Sequence, residues 1–311
     1  MRSLLKSGLA KISKRSIITA IIAGFLILAV IICCIVHGDS PYFNAATYIF
    51  GFGTHYRAED DYIRFLDVGE GDSTLICSNG KTALIDTGPP ESAGSLCRKL
   101  KKFAVKQIDA LIVTHAHMDH MGSCREILNE FPTGCIIVPE IIGDPEGAEE
   151  LVAAQKSVSE NGGRVFQAAD GLKVEVGDFS ITIIGYYPDM EDENDRSLFI
   201  MAEIRGMKFL LTGDAETKAE KRLLQTKKDI SCDVLKVAHH GSNTSSSEEF
   251  LDACSPKIAV ISAGYGNTYL HPHESTISML EKKRVTIYRT DIYGDIIFKI
   301  IKDKYEVSYI K

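Results

Sequence analysis

Thr114-His115-Ala116-His117-Met118-Asp119-His120-Met121-Gly122 places three histidines and an aspartate within six residues. The apolar run Ala110 to Val113 precedes it, so the segment reads as a strand ending at a polar loop. A strand end is a rigid base from which several side chains can converge on one point. Imidazoles and a carboxylate at this density match the ligand set of zinc or a related divalent cation. Solvated loops rarely concentrate histidine in this way.

Three further polar sites end apolar runs. Leu84-Ile85-Asp86-Thr87-Gly88 and Leu210-Leu211-Thr212-Gly213-Asp214 each end in an aspartate, and Val237-Ala238-His239-His240-Gly241-Ser242 carries a histidine pair. Asp86 alone reads as a turn former; beside a histidine cluster it is a candidate acceptor that fixes an imidazole tautomer. Adjacent residues after a strand point in opposite directions, so at most one of His239 and His240 is a direct ligand and the other is free to donate to substrate. His271 and His273 flank Pro272. They either line a substrate pocket, binding phosphate or acting as general acid, or sit exposed in a helix-entry loop. The acidic run Asp189 to Asp195 reads as a solvated loop at the pocket rim.

The elements that must position these residues follow from periodicity. Strands are expected at Ile63–Leu66, Thr74–Cys77 and Thr82–Ile85, with Asn79-Gly80 as a hairpin turn. Helices are expected at Ser92–Phe103, Cys124–Asn129 and Ala148–Glu160, around strands Ala110–Val113 and Ile136–Val138. Lys173–Val176, Ile181–Ile184, Ser197–Ile204 and Lys208–Thr212 read as an antiparallel meander turning at Gly206. Helix Lys218–Gln225, strand Val234–Ala238 and a capping box at Ser246 to Glu249 come next. Strand Ile258–Ser262, helix Ser275–Lys283 and strands Val285–Tyr288, Ile296–Ile300 and Glu306–Tyr309 complete the chain. Two strand-rich halves with helices between them predict two packed sheets with helices outside.

The first fifth of the 311 residues stands apart. Ser16 to Val36 holds 21 residues and no charge, enough to span a bilayer core of about 30 Å. Arg2, Lys6, Lys11, Lys14 and Arg15 precede it, and the first acidic residue is Asp39, which places the N-terminus in the cytoplasm and the remainder outside. A cleaved secretory signal shares the basic start, but the run is long and lacks a small-x-small cleavage site. The expected organisation is a cytoplasmic segment over 1–15, a transmembrane anchor over 16–36, a linker over 37–60 and a catalytic domain over 61–311, placed at the cell membrane and facing out of the cytoplasm. Cys77, Cys97, Cys124, Cys135, Cys232 and Cys254 are scattered without a CxxC pair, so they offer no zinc-ribbon or redox signature. Beyond the apolar run, 30 Lys and Arg face 42 Asp and Glu, a net charge of −12. That balance weighs against an avid, nonspecific nucleic-acid binder, though not against nucleic acid as a transient substrate.

HxHxDH after a strand, LxTGD and HHGS together resemble the metallo-β-lactamase superfamily, α/β metallohydrolases whose αββα sandwich holds one or two metals between its sheets. Phe65-Leu66-Asp67-Val68-Gly69-Glu70-Gly71-Asp72, Asn194-Asp195-Arg196-Ser197-Leu198, Tyr265-Gly266-Asn267 with His271-Pro272-His273, and Tyr288-Arg289-Thr290-Asp291 narrow the resemblance to the hydrolase domains of ComEC-type DNA-uptake proteins, from about Ile63 to Ile300. The resemblance implies two divalent ions. His115 and His117 would hold the first, Asp119 and His120 the second, Asp214 would bridge them and His239 would complete the second site. A metal-bound hydroxide would attack, with Asp119, His240 and His273 as the catalytic side chains.

Many members of the superfamily carry a further histidine ligand between the HxHxDH and TGD motifs. Here no histidine lies between His120 and Asp214, and Asn194 and Ser197 stand in that region. Zinc is the expected metal, with manganese an alternative if oxygen ligands make up the first site. ComEC-type proteins carry this domain on a many-helix channel, whereas this chain has one apolar run, so DNA transport is not implied. The expected function is a membrane-anchored, metal-dependent phosphodiesterase or nuclease with DNA a candidate substrate. The alternatives are hydrolysis of a small ester, thioester or lactone, and a non-catalytic binding module.

Overall fold

Phe179–Gly185 alternates buried and half-buried residues at every position, the signature of a strand with two unequal faces. Most other strands are buried on both faces and read as apolar runs, because helices cover the side turned away from the core. The computed structural model describes residues 60–143 and 145–311. The strands are β1 (Tyr62–Phe65), β2 (Thr74–Ser78), β3 (Lys81–Ile85), β4 (Ala110–Ile112), β5 (Cys135–Val138), β6 (Arg164–Gln167), β7 (Lys173–Val176), β8 (Phe179–Gly185), β9 (Phe199–Ile204), β10 (Met207–Leu211), β11 (Val234–Lys236), β12 (Ile258–Ile261), β13 (Thr286–Arg289), β14 (Asp295–Ile301) and β15 (Lys304–Ile310). They form one sheet of order β15-β14-β1-β2-β3-β4-β5-β6 and another of order β13-β12-β11-β10-β9-β8-β7.

The two inner faces share one core. Phe65, Ile85 and Ile112 of the first sheet meet Ile181, Phe209 and Val260 of the second. The outer face of the first sheet, with Leu84, Leu111 and Ile136, is covered by helices α1 (Ala93–Lys102), α3 (Cys124–Glu130) and α4 (Ala148–Glu160). A one-turn helix, α2 (Met118–Met121), lies between α1 and α3. Leu210, Leu235 and Ala259 on the outer face of the second sheet pack with α5 (Thr217–Gln225), α6 (Glu248–Cys254) and α7 (Glu274–Lys282). A one-turn helix, α8 (Thr290–Tyr293), follows β13. Neighbouring residues such as Leu84 and Ile85 enter different cores, as the two-residue period of a strand requires. The layers are helix, sheet, sheet, helix, the expected αββα sandwich.

Parallel pairing decides where the polar residues collect. Strands β3 and β4 run parallel with Ile85 opposite Ile112, and β10 and β11 run parallel with Leu211 opposite Lys236. Their carboxyl ends therefore share an edge within each sheet, the usual location of a site in an α/β fold. Leu198 N–H donates to Thr114 O at 3.1 Å, which ties the two sheets together at that edge.

Most expected elements are present within two residues of their bounds, including the β7–β10 meander and the hairpin turn, where Asn79 and Gly80 both have positive φ. Edge strand β6 was not expected, because Arg164-Val165-Phe166-Gln167 lies largely exposed and has no apolar face to announce it. The N-cap of α6 is Ser247 rather than Ser246, its hydroxyl accepting from Phe250 N–H. The cytoplasmic segment, the anchor and all of the linker but Asp60 lie outside the described residues. Among those described, no helix is long and apolar enough to cross a membrane. The six cysteines of the domain are free thiols, all but Cys97 buried.

Phe209 is fully buried between the sheets, its ring 5.7 Å from that of Phe298. Phe209→Ala should cost about 3–5 kcal/mol by opening a cavity there. Urea unfolding of the chain should show this as a lower midpoint at unchanged slope.

Candidate metal centre

Asp86 follows β3 with φ 59°, and its carboxylate reaches Thr114 beyond the end of β4. Its Oδ1 accepts Thr114 N–H at 2.8 Å and its Oδ2 accepts Thr114 Oγ1–H at 2.7 Å. Oδ2 also lies 2.8 Å from His120 Nδ1. A buried carboxylate in this position holds the proton on Nδ1 and leaves Nε2 free to face the site. His240 is set in the same way from the other sheet: its Nδ1 lies 3.0 Å from Ser262 O, and its Nε2 points inward.

The inward atoms converge. His240 Nε2 lies 3.1 Å from Asp119 Oδ2 and 3.4 Å from Asp214 Oδ2, while His120 Nε2 lies 3.2 Å from Asp214 Oδ1. One ligand atom from each of Asp119, His120, Asp214 and His240 lies within 4.8 Å of every other, a group able to hold a metal ion. Despite their proximity, His120 Nε2 and Asp214 Oδ1 are both buried without a hydrogen-bond partner. Two buried, unpaired atoms aimed at one space suit a cation, to which Asp214 Oδ1 and, once its proton is displaced, His120 Nε2 can donate a lone pair.

The electrostatics support the same fit. Burial alone would lower the His240 pKa, but Asp214 and Asp119 outweigh it and push it up to about 10. His120 is likewise raised well above its ordinary value: burial opposes protonation, and Asp214, Asp119 and Asp86 overcome it. Burial would raise both carboxylates, yet His240 and His120 hold Asp214 well below its usual range, and His120 with the His240 hydrogen bond does the same for Asp119. Without metal these shifts favour two imidazolium ions against two carboxylates. One divalent cation replaces two protons with no change in charge.

His115 and His117 form a second pair beside this group, with His115 Nε2 3.1 Å from His117 Nδ1 and the rings of His115 and His120 4.2 Å apart. Burial, then the neighbouring His120, holds the His115 pKa well below its ordinary value. Among the described residues no third His, Cys, Asp or Glu joins these two to form a group as tight as the first. Ser197 is fully buried, and its Oγ accepts Asp214 N–H at 3.0 Å, so it braces the aspartate's backbone. Asn194 Oδ1 is buried without a partner.

His240, assigned to catalysis from sequence, stands in the metal-binding group, and His239, assigned as the ligand, does not. Both residues have positive φ in a short 3-10 turn, and this swings His239 Nδ1 out to Glu216 Oε1 at 3.2 Å and Thr244 Oγ1 at 3.3 Å. His273 lies further out, its Nδ1 accepting Asn243 N–H at 3.0 Å. His271 sits between them, its ring 5.5 Å from His239 and 5.0 Å from His273.

Several supporting residues escaped the sequence reading. Asp72 and Lys236 form a buried ion pair beneath the site, with Nζ also donating to Val237 O at 2.9 Å. Asp72 belongs to the Phe65–Asp72 motif, which could have marked it, whereas Lys236 gave no signal inside an apolar strand. The acidic loop is not simply solvated. Glu193 Oε1 accepts Ala116 N–H at 3.2 Å, and buried Asp195 accepts Glu216 and Ala219 N–H at the start of α5. Gly71 is required because a Cβ there would lie 2.2 Å from Asp119 O, which Gly71 must approach closely.

Fold and site together define a metal-binding domain of the metallo-β-lactamase kind. Residues 66–265 match the Metallo-beta-lactamase superfamily, and the chain belongs to it. Within that superfamily its domain is ComEC-like. It is 32% identical over 257 residues to ComE operon protein 3 of Bacillus subtilis, covering 76% of this chain and 33% of that one. It is 31% identical over 234 residues to competence protein ComA of Neisseria gonorrhoeae, covering 75% and 31%. The chain thus spans about a third of the length of these relatives. Among solved structures, the metallo-beta-lactamase fold protein YhfI of Bacillus subtilis aligns with TM-score 0.52 at 11% identity, over 77% of this chain and 100% of that one. CmlA, a diiron beta-hydroxylase of Streptomyces venezuelae, aligns with TM-score 0.53 at 15% identity over 78% and 54%. These two likenesses are of fold.

Titration of metal-free protein with zinc in buffers of different ionisation enthalpy should show proton release near neutral pH. Affinity should rise by about tenfold per pH unit for each proton displaced, up to the His240 pKa of about 10. Asp86→Asn should lower affinity about 10–100-fold in the same titration with the fold intact by circular dichroism. Binding without proton release would contradict this charge assignment.

Proposed function

We propose that this chain is a membrane-anchored, metal-dependent phosphodiesterase acting on nucleic acid, with its catalytic domain outside the cytoplasm. The observation that carries the reading is the convergence of Asp119, His120, Asp214 and His240 in a tight group, within which His120 Nε2 and Asp214 Oδ1 are buried without a hydrogen-bond partner. A second cation, zinc or manganese like the first, would lie against His115 and His117. Asp214 acts electrostatically on both His115 and His120, which suits a bridging position between two ions. When bound, such ions supply Lewis acidity at a phosphoryl oxygen and acidify a water molecule.

The chain's own residues orient and shield that chemistry. Asp119 is 35% exposed, the most open member of a group otherwise buried to within 3%, so it faces the mouth and can receive a proton from an attacking water. The rings of His239 and His273 lie 5.5 Å and 5.0 Å from that of His271, and on this reading the three would donate to phosphate oxygens or to the leaving group. Competence proteins among the relatives favour DNA as the substrate. The acidic net charge of −7 favours transient over tenacious binding.

The full chain, metal-loaded in detergent, should cleave a chromogenic phosphodiester and a single-stranded oligonucleotide. An Asp119→Ala, His240→Ala double variant should lose at least the ~100-fold in turnover that lesser outer partners cost. Undiminished activity in that variant would overturn the assignment of the site. Turnover of thioesters or lactones without any phosphodiester turnover would transfer the same site to ester hydrolysis, and metal uptake with no turnover at all would leave a binding module. External protease on whole cells should digest the domain; its shielding would reverse the topology.

A further inference from the structure

The most exposed large hydrophobic side chains among the described residues cluster on one loop. Tyr265 is 91% exposed, Leu270 78% and Tyr269 67%. The loop joins β12 to α7 and reaches the rim of the metal centre. Isolated exposed apolar residues need no explanation, but three within six residues beside a candidate active site do.

The loop is built to hold its shape. Asn267 Nδ2 donates to Gly264 O at 2.9 Å and to His271 O at 2.6 Å, and its Oδ1 accepts His271 N–H at 2.9 Å, which closes the loop on itself. Glu70 pins both ends. Its Oε2 accepts Gly264 N–H at 2.8 Å, and its Oε1 lies 3.0 Å from His271 Nδ1. A Cβ at Gly264 would lie 2.7 Å from Glu70 N, so the two loops meet backbone to backbone. Side chains projected from so constrained a turn are displayed at small further entropic cost.

Ring faces connect this display to the chemistry. Tyr269 stacks on His271 with centroids 5.7 Å apart and planes 20° apart. His271 lies 6.1 Å from His240 with its plane tilted by 31°, and His240 Nε2 belongs to the metal-binding group. A flat ligand placed on the outer face of Tyr269 would continue this series. The phosphate beside it would then lie toward His271 and the centre.

We propose that Tyr269, with Tyr265 on the same loop, is a stacking platform for the bases of a single-stranded nucleic-acid substrate. The proposal rests on the phosphodiesterase reading and names how that site would grip its substrate. An acidic domain offers little general attraction for a polyanion, and base stacking supplies affinity that needs no positive charge. Bases within a duplex are already stacked on one another, so the platform selects single strands.

The test compares, on the metal-loaded full chain, a single-stranded oligonucleotide with an abasic oligomer of equal length. Tyr269→Ala should raise KM for the oligonucleotide about tenfold, the order expected for one base–aromatic stack, with little change in kcat. Tyr269→Phe should restore the KM, because it keeps the ring face. The penalty should vanish on the abasic oligomer. An equal loss on both substrates, no loss on either, or failure of the phenylalanine to rescue would overturn the platform. A separate reading does not depend on cleavage. In chelated protein, 2-aminopurine within the oligonucleotide should be quenched on binding to the wild type but not to Tyr269→Ala, and quenching equal in both would also overturn it. Wild-type protein that quenches without cleaving either substrate would defeat the phosphodiesterase reading and leave the platform standing.

Discussion

Two carboxylates and two imidazoles confined within a few ångströms are the constraint to which the rest of this structure answers. Burying any one of these charges alone would cost several kcal/mol, so each is tolerable only because the other three are present. Asp119 and His120 come from the one-turn helix α2 that follows β4, Asp214 from the loop after β10 and His240 from the turn after β11. Neither sheet can assemble the group by itself. The sandwich must close with its parallel-strand ends aligned, and the group in turn gives a reason for that closure.

Closure depends on contacts that lie one step out. Asp86 and Ser262 take opposite sides, each engaging an imidazole Nδ1 so that both Nε2 atoms face inward. Gly213, with φ 50°, passes so near two other segments that a Cβ would meet Ser197 at 2.9 Å and Thr114 at 3.1 Å. That tight passage brings Asp214 to the seam between the sheets. Lys236 neutralises Asp72 beneath the imidazoles, and Glu193 and Asp195 fasten the loop that covers the seam. The charged residues here are structural partners of the site as much as features of its surface.

Much of this was legible in the sequence because strand periodicity and strand ends are local properties. The αββα layering, the meander and the converging Asp86, His115–His120 and Asp214 segments follow from apolar runs that end in polar residues. The division of labour between His239 and His240 was not legible. Alternation after a strand indicates that only one of two neighbours faces inward, but the turn here gives both residues positive φ, and only tertiary contacts with Gly213, Ser262 and Glu216 decide which one that is. Lys236 was hidden for a similar reason: its partner Asp72 lies more than 160 residues away, and no local pattern announces a buried ion pair. Edge strand β6 escaped because exposure removes the periodicity by which strands are recognised.

Charge bookkeeping gives the poorly furnished His115 and His117 pair a significance that ligand counting would miss. With both imidazoles protonated beforehand, loading the four-residue group would exchange two protons for one divalent cation and leave the local charge where it was. The chain as a whole is acidic, so a first ion alone would give a phosphodiester anion little reason to approach. His115 is held neutral by its burial and brings no carboxylate with it. Under the proposed two-ion reading, a cation taken up beside it adds positive charge that no lost proton cancels there. The weaker position would then make the centre attractive to phosphate, and its occupancy would govern substrate capture as well as chemistry.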